Sequence, residues 1–250
     1  MKQALIDYTL HLADNSLILG QRNSEWCGHG PVLEQDIAIT NISLDLIGQA
    51  RNFYQYAATL IGDGATEDSL AYLRKEREFK NCLLVEQPNG DWAQTILRQF
   101  FFSQYQYLLF EKLQNSKDEQ LAAIAEKSLK EVTYHLRWSS EWVIRLGDGT
   151  EESHNRMLKA IDELWRYTGE LFEASNYELR VATDGFGVDV SKLKDRWMNK
   201  VKEIFSEAIL TVPEKIFMQT GGKEGKHTEH LGFILTELQF MQRAYPGAEW

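Results

Sequence analysis

The chain has only two cysteines and four prolines in 250 residues. Cys27 and Cys82 make no disulfide framework and fit a reducing compartment. Proline removes a backbone donor and clashes inside a helix. None lies between Asn89 and Val212, so that whole stretch is open to long helices. Basic charge is scarce too: 27 Lys and Arg face 37 Asp and Glu, a net charge of −10. Nucleic-acid binding without sequence preference needs a basic face that displaces counterions, so no nucleic-acid partner is expected. No uncharged apolar run approaches the ~20 residues of a membrane span. The opening MKQALIDYTLHLADNS places Asp7, His11 and Asp14 where a signal peptide needs an apolar core. Alternating strand patterns are rare, and neither a glycine-rich phosphate loop after a strand nor a Gly-x-Ser-x-Gly elbow occurs. From these absences a soluble, acidic, cytoplasmic protein with no membrane partner is expected.

What the chain does have is apolar mass. At 43% hydrophobic residues it can bury a sizeable core, expected as a single domain over 1–250. Apolar periodicity and turn residues predict helices over Ala4–Asn23, Leu33–Ile61, Asp68–Lys80, Trp92–Gln114, Asp118–Leu146, His154–Ala174, Lys192–Leu210 and Thr228–Ala244. Tyr177–Val190 is expected to be irregular or short β structure. Thr211–Lys226, with Gly221, Gly222 and Gly225, is expected to be a second irregular loop. Long helices joined by short turns imply an all-α fold, an antiparallel four-helix bundle core with additional helices. Leu33–Ile61 reads as apolar on most sides, as suits a helix in the bundle centre, yet Asn41, Asp45, Gln49 and Asn52 run down one line.

The sharpest chemical signal is KSLKEVTYHLRW, Lys127–Trp138. Glu131 and His135 stand one turn apart on the stripe of Ile124, Ser128, Trp138 and Trp142, away from the charged residues. Helical bundles build two-metal carboxylate sites from a Glu-x-x-His on each of two core helices. Here the register fails: Tyr134 stands three residues after Glu131, and His135 comes one residue late. The partner stretch NISLDLIGQARNF offers Asp45 with Gly48 three residues on, so a second histidine is missing. Glu151–His154 and Glu224–His227 match the spacing only at a helix start and in a glycine-rich loop. The favoured reading is a buried hydrogen-bonded group of Asp45, Glu131 and His135 at vestigial metal positions, with no metal bound. The rival is an independent metalloenzyme using these residues and Glu25. His227-Thr228-Glu229-His230 reads as a loop-to-helix junction with Thr228 as N-cap rather than a second metal cluster. The dense run Arg74-Lys75-Glu76-Arg77-Glu78-Phe79-Lys80 is either a solvated helix face or a phosphate cradle or partner contact.

Several longer blocks resemble one family. SEWCGHGP at Ser24–Pro31, NISLDLIGQARNF at Asn41–Phe53, LLVEQPNGDWAQTI at Leu83–Ile96, KEVTYHLRW, TGGKEGKHTEHLG at Thr220–Gly232 and the terminal Trp250 are similar to the C subunits of bacterial ring-1,2-phenylacetyl-CoA epoxidases. That resemblance implies a ferritin-like helical bundle and a non-catalytic role in aerobic phenylacetate catabolism. It implies the di-iron catalytic A subunit as partner, with other epoxidase subunits and a flavin/iron–sulfur reductase. No cofactor or catalytic residue is then expected in this chain. By the same likeness, Arg77, Glu78, Phe79 and Lys80 are expected to contact the coenzyme A ester of phenylacetyl-CoA, with Arg77 and Lys80 on phosphates and Phe79 on adenine. Glu178, Leu179 and Arg180 are a second candidate segment. A scaffold with no ligand contact is the remaining alternative.

Overall fold

Among the residues described by the computed structural model, 1–248, the chain forms ten α-helices and no strand. They are α1 (Lys2–Ser24), α2 (Leu33–Ile61), α3 (Glu67–Tyr72), α4 (Leu83–Glu86), α5 (Trp92–Leu113), α6 (Glu119–Gly147), α7 (Glu151–Leu164), α8 (Asn176–Asp184), α9 (Lys194–Glu207) and α10 (Glu229–Ala244). The terminal Trp250 lies outside the described residues. The all-α expectation holds, and α5, α6 and α7 start where capping residues stand. Asp91, Asp118 and Thr150 each accept a backbone N–H from the first turn of α5, α6 and α7. None of these helices is long and apolar enough to cross a membrane.

Three expected segments are corrected. The helix expected over Asp68–Lys80 stops at Tyr72 and gives way to a 3₁₀ turn at Glu76–Glu78. Arg74 and Phe79 both turn inward. Five residues apart on one helix they would point about 140° away from each other, so the helix has to end. The helix expected to reach Ala174 ends at Leu164 and continues as 3₁₀ turns over Trp165–Tyr167 and Gly169–Phe172. The stretch expected to be irregular or β holds α8 instead. A Ser175–Glu178 capping box opens α8, and Gly185 at φ +83° closes it in the left-handed conformation.

The chain divides into two compact units. The first comprises Met1–Gln87 with the residues from Gly221 onward, and the second Pro88–Thr220. In the first, α1 and α2 run antiparallel: Asp14 meets Tyr54, and Gly20 lies against Leu46 and Ile47. A Cβ on Gly20 would sit 3.2 Å from both neighbours, so the small residue allows the close approach. α10 packs against α1 and α3.

In the second unit α5 is the central helix, with α6, α7 and α9 around it. Its residues Arg98–Gln106 are all buried. Phe101 meets Trp165, Trp197 and Phe205 with ring centroids 5.5 to 6.1 Å apart, and the Trp197 indole N–H donates to the Phe101 carbonyl at 2.9 Å. The expectation that α2 is the helix covered on most sides is therefore corrected. Leu33 and Leu44 on α2 are 72% and 61% exposed, and the helix buried on most sides is α5.

Candidate functional site

The first unit buries a connected set of polar side chains. On α1 the residues Thr9, His11, Asp14, Asn15 and Ser16 are all buried among leucines and isoleucines. Polar groups removed from water must be hydrogen-bonded: Thr9 and Ser16 donate to the Leu5 and Leu12 carbonyls of α1 itself, whereas His11, Asp14 and Asn15 bind the stretch that follows α3. Asp14 accepts from the Tyr54 hydroxyl at 2.6 Å, from both terminal nitrogens of the Arg74 guanidinium, and from the Lys80 N–H at 2.8 Å. The Arg74 guanidinium lies 4.1 Å from the Phe79 ring centroid and also donates to the Leu70 and Glu78 carbonyls. Burial, the largest single influence, works against the Arg74 cation, but the charges of and hydrogen bonds to Asp14 and Tyr54 together outweigh it and hold the group firmly protonated. Burial first, and then the Asp14 charge, push the Tyr54 hydroxyl well above its usual range. His11 Nδ1–H donates to the Lys80 carbonyl at 2.7 Å, and Asn15 accepts the Cys82 N–H at 2.8 Å.

A second buried centre lies at Glu86 on α4. Its Oε1 accepts from the Thr228 N–H at 2.7 Å and the Thr228 hydroxyl at 2.8 Å. Its Oε2 accepts from the Asn81 amide at 2.8 Å and meets His227 Nδ1 at 2.8 Å, while His227 Nε2 faces the Phe79 carbonyl at 3.0 Å. Arg22 on α1 donates to the Glu86 carbonyl at 3.1 and 3.2 Å. Gly225 lets the loop before α10 come this close. It takes φ +74°, and a Cβ there would stand 2.3 Å from the Arg77 carbonyl. The stretch Arg74–Gln87 is thus fixed from both sides, by α1 and by the start of α10.

Beside this stretch a cleft of about 780 Å³ is lined by Lys2, Ile6, Leu10, Ile61, Arg74 and Lys80, with Asp7 and Glu78 also on its wall. Its size is that of a small-molecule pocket. Lys80 Nζ lies 3.6 Å from Asp7.

The whole chain, residues 1–250, matches the sequence profile of the phenylacetic acid catabolic protein family. The chain belongs to that family. It is also 52% identical over 246 residues to an Escherichia coli (strain K12) protein, the C subunit of 1,2-phenylacetyl-CoA epoxidase, covering 98% of this chain and 99% of that one. Its helical architecture agrees with the ferritin-like bundle expected from the resemblance.

In this family member the expected ligand segment divides. Lys80 and Glu78 line the cleft, and Arg77 is exposed on the 3₁₀ turn outside it. Glu78 also accepts the Lys75 N–H at 2.6 Å. Phe79 is fully buried, with the Arg74 guanidinium 4.1 Å from its ring centroid. Glu178, Leu179 and Arg180 belong to α8 of the second unit. Glu178 is buried, and its carboxylate accepts the N–H and hydroxyl of Ser175 at 2.8 and 3.0 Å, a capping role. Leu179 is 51% exposed, and Arg180 pairs along the surface with Asp184 at 3.5 Å.

Glu131 and His135 both stand on α6, Glu131 half-buried and His135 fully buried, whereas Asp45 is half-buried on α2 of the first unit. None of the three is without a partner. Among the described residues no three His, Cys, Asp or Glu side chains gather as a metal-binding group. Glu25 pairs with Arg22 at 2.9 Å. Residue patterning did not single out Asp14, Tyr54, Arg74 and Glu86 as a buried set. The available signal was DNS inside LHLADNSLILG, three polar residues in a row on a helix with apolar flanks.

Proposed function

We propose that this chain is the non-catalytic, structural subunit of a 1,2-phenylacetyl-CoA epoxidase complex of aerobic phenylacetate catabolism in the cytoplasm. The observation that carries the reading is the end-to-end likeness to the C subunit of such an epoxidase, 52% identity with nearly complete coverage of both chains. The chemistry is then assigned to a di-iron catalytic subunit, which this chain stabilises and helps to present with its substrate. A flavin/iron–sulfur reductase and further epoxidase subunits complete the system. Asp45, Glu131 and His135 are read as vestigial metal positions whose partners are protein groups, and this chain holds no cofactor. Two observations support that part. The Glu-x-x-His register is missing at Glu131 and at Asp45, and the described residues hold no metal-binding group of three.

The coenzyme A ester contact is placed at the cleft beside Lys80, with Arg77 on the neighbouring turn as a second cation for phosphate. The test is to express the chain with its catalytic partner, purify the complex and measure coenzyme A ester affinity. Arg77→Glu together with Lys80→Glu should weaken affinity about tenfold or more while the complex still assembles, since each lost charge-assisted contact is worth roughly 1.5–3 kcal/mol. Unchanged affinity in an intact complex would remove the ligand contact and leave a pure scaffold.

A further inference from the structure

His227 occupies the loop before α10, and its side chain is fully buried. Both ring nitrogens face oxygen. Nε2 lies 3.0 Å from the Phe79 main-chain carbonyl, which has no proton to give, so Nε2 must donate. Nδ1 lies 2.8 Å from Glu86 Oε2. That carboxylate is already surrounded by donors: the Asn81 amide on Oε2, and the Thr228 N–H and hydroxyl on Oε1. Three donors aimed at one carboxylate favour its ionised, acceptor-only form, and Nδ1 must then donate as well. An imidazole that donates from both nitrogens is a cation.

We propose that His227 is a standing imidazolium which, with the Glu86 carboxylate, forms a buried ionic clasp and positions the Phe79–Gln87 segment against the start of α10. No substrate or partner is needed for this, so the inference goes beyond the proposed function and does not depend on it.

Charged and titratable groups approach the clasp from every element packed around it. From α1, Asp14 adds negative charge that favours the cation. Arg22, also on α1, is turned to the Glu86 main-chain carbonyl and to Glu25. His11 on α1 is engaged by the Lys80 carbonyl and by Asn15. In the segment itself Arg74 is bound to Asp14, and Lys80 lies near Asp7. The loop adds the buried Lys223, and α10 opens with the exposed Glu229. Burial alone would lower the ring's proton affinity. The hydrogen bond and charge of Glu86, the Phe79 carbonyl and Asp14 together raise it above the ordinary histidine value.

The test uses the full chain with nitrogen-15-labelled histidine, whose ring signals report the protonation of each nitrogen. One of the six histidines should still carry protons on both nitrogens at pH 7, above the usual histidine value of about 6.5. Its signals are assigned by their loss in His227→Gln or, should that variant not fold, by their proximity to Thr228. A ring with one protonated nitrogen near pH 7 would overturn the proposal. Glu86→Gln keeps an oxygen for Thr228 but removes the charge. It should return the ring to the neutral form near pH 7 and speed amide exchange at the first turn of α10 by about tenfold or more. A ring still doubly protonated in that variant would refute the role of Glu86. If Glu86→Gln does not fold, the spectrum of the unsubstituted chain decides alone.

Discussion

Replacing Arg74 by methionine should destabilise the first unit severely, and the structure sets the size of the effect. Methionine keeps apolar contact with the buried Phe79 ring but removes the guanidinium from Asp14, a carboxylate with no exposed surface. Asp14 would keep the Tyr54 hydroxyl and the Lys80 N–H and lose the cation that balances its charge. The Leu70 and Glu78 carbonyls would lose a donor as well. Breaking a buried pair from one side costs roughly 3–5 kcal/mol, because an uncompensated charge remains inside. With two donors left on Asp14, about 3 kcal/mol is expected, equivalent to a Tm fall of about 6–12 °C for a chain of this size. Adding Asp14→Asn to Arg74→Met removes the stranded charge and should recover about 1–2 kcal/mol. Urea unfolding followed by helical ellipticity measures both variants. A loss below about 1 kcal/mol for Arg74→Met, or a double variant as damaged as the sum of the singles, would refute the reasoning.

Further predictions concern the rest of the first unit and the surface of the second. The folded-state pKa of His227 is raised, so its contribution is full below the unfolded value of about 6.5 and disappears as pH rises through the raised value. Stability measured against pH should therefore fall on the alkaline side in the unsubstituted chain and flatten there in His227→Gln; equal slopes would contradict the assignment. Gly225→Ala forces a left-handed residue to carry a Cβ 2.3 Å from the Arg77 carbonyl and should cost ~1–3 kcal/mol, with faster proteolysis of the loop before α10. Arg180→Ala removes only a surface pair with Asp184 and should change unfolding free energy by less than ~0.5 kcal/mol. A larger loss would mean that α8 depends on that pair.

The long helices were legible because their signals are local. The boundaries of Leu33–Ile61 agree with expectation at both ends, and Trp92 opens α5 behind an Asp91 cap as its turn residues require. The Ile124–Ser128–His135–Trp138 stripe on α6 is buried, as its period implied. Pairing across long sequence distances was not legible. Asp14 meets a residue 60 positions away, and Glu86 a residue 141 positions away. No helical or strand period connects such positions, so nothing within the run Arg74–Lys80 marks Arg74 and Phe79 as inward-facing. At α8 the local signals for a helix, the Ser175–Glu178 capping box and the closing Gly185, frame a stretch, YELRVATDGFGVDV, with three valines and two glycines, residue types of low helix propensity. The resemblance supplied what no pattern within the chain could, the family to which the chain belongs.

The most direct test of the proposed function is reconstitution of the di-iron catalytic partner with and without this chain, with metal measured for each purified protein and phenylacetyl-CoA conversion followed in the presence of the reductase. The account predicts iron in the catalytic partner, none held stoichiometrically by this chain, and conversion that depends on both together. Conversion by the catalytic partner on its own at the rate of the complex, or stoichiometric iron in this chain, would contradict it.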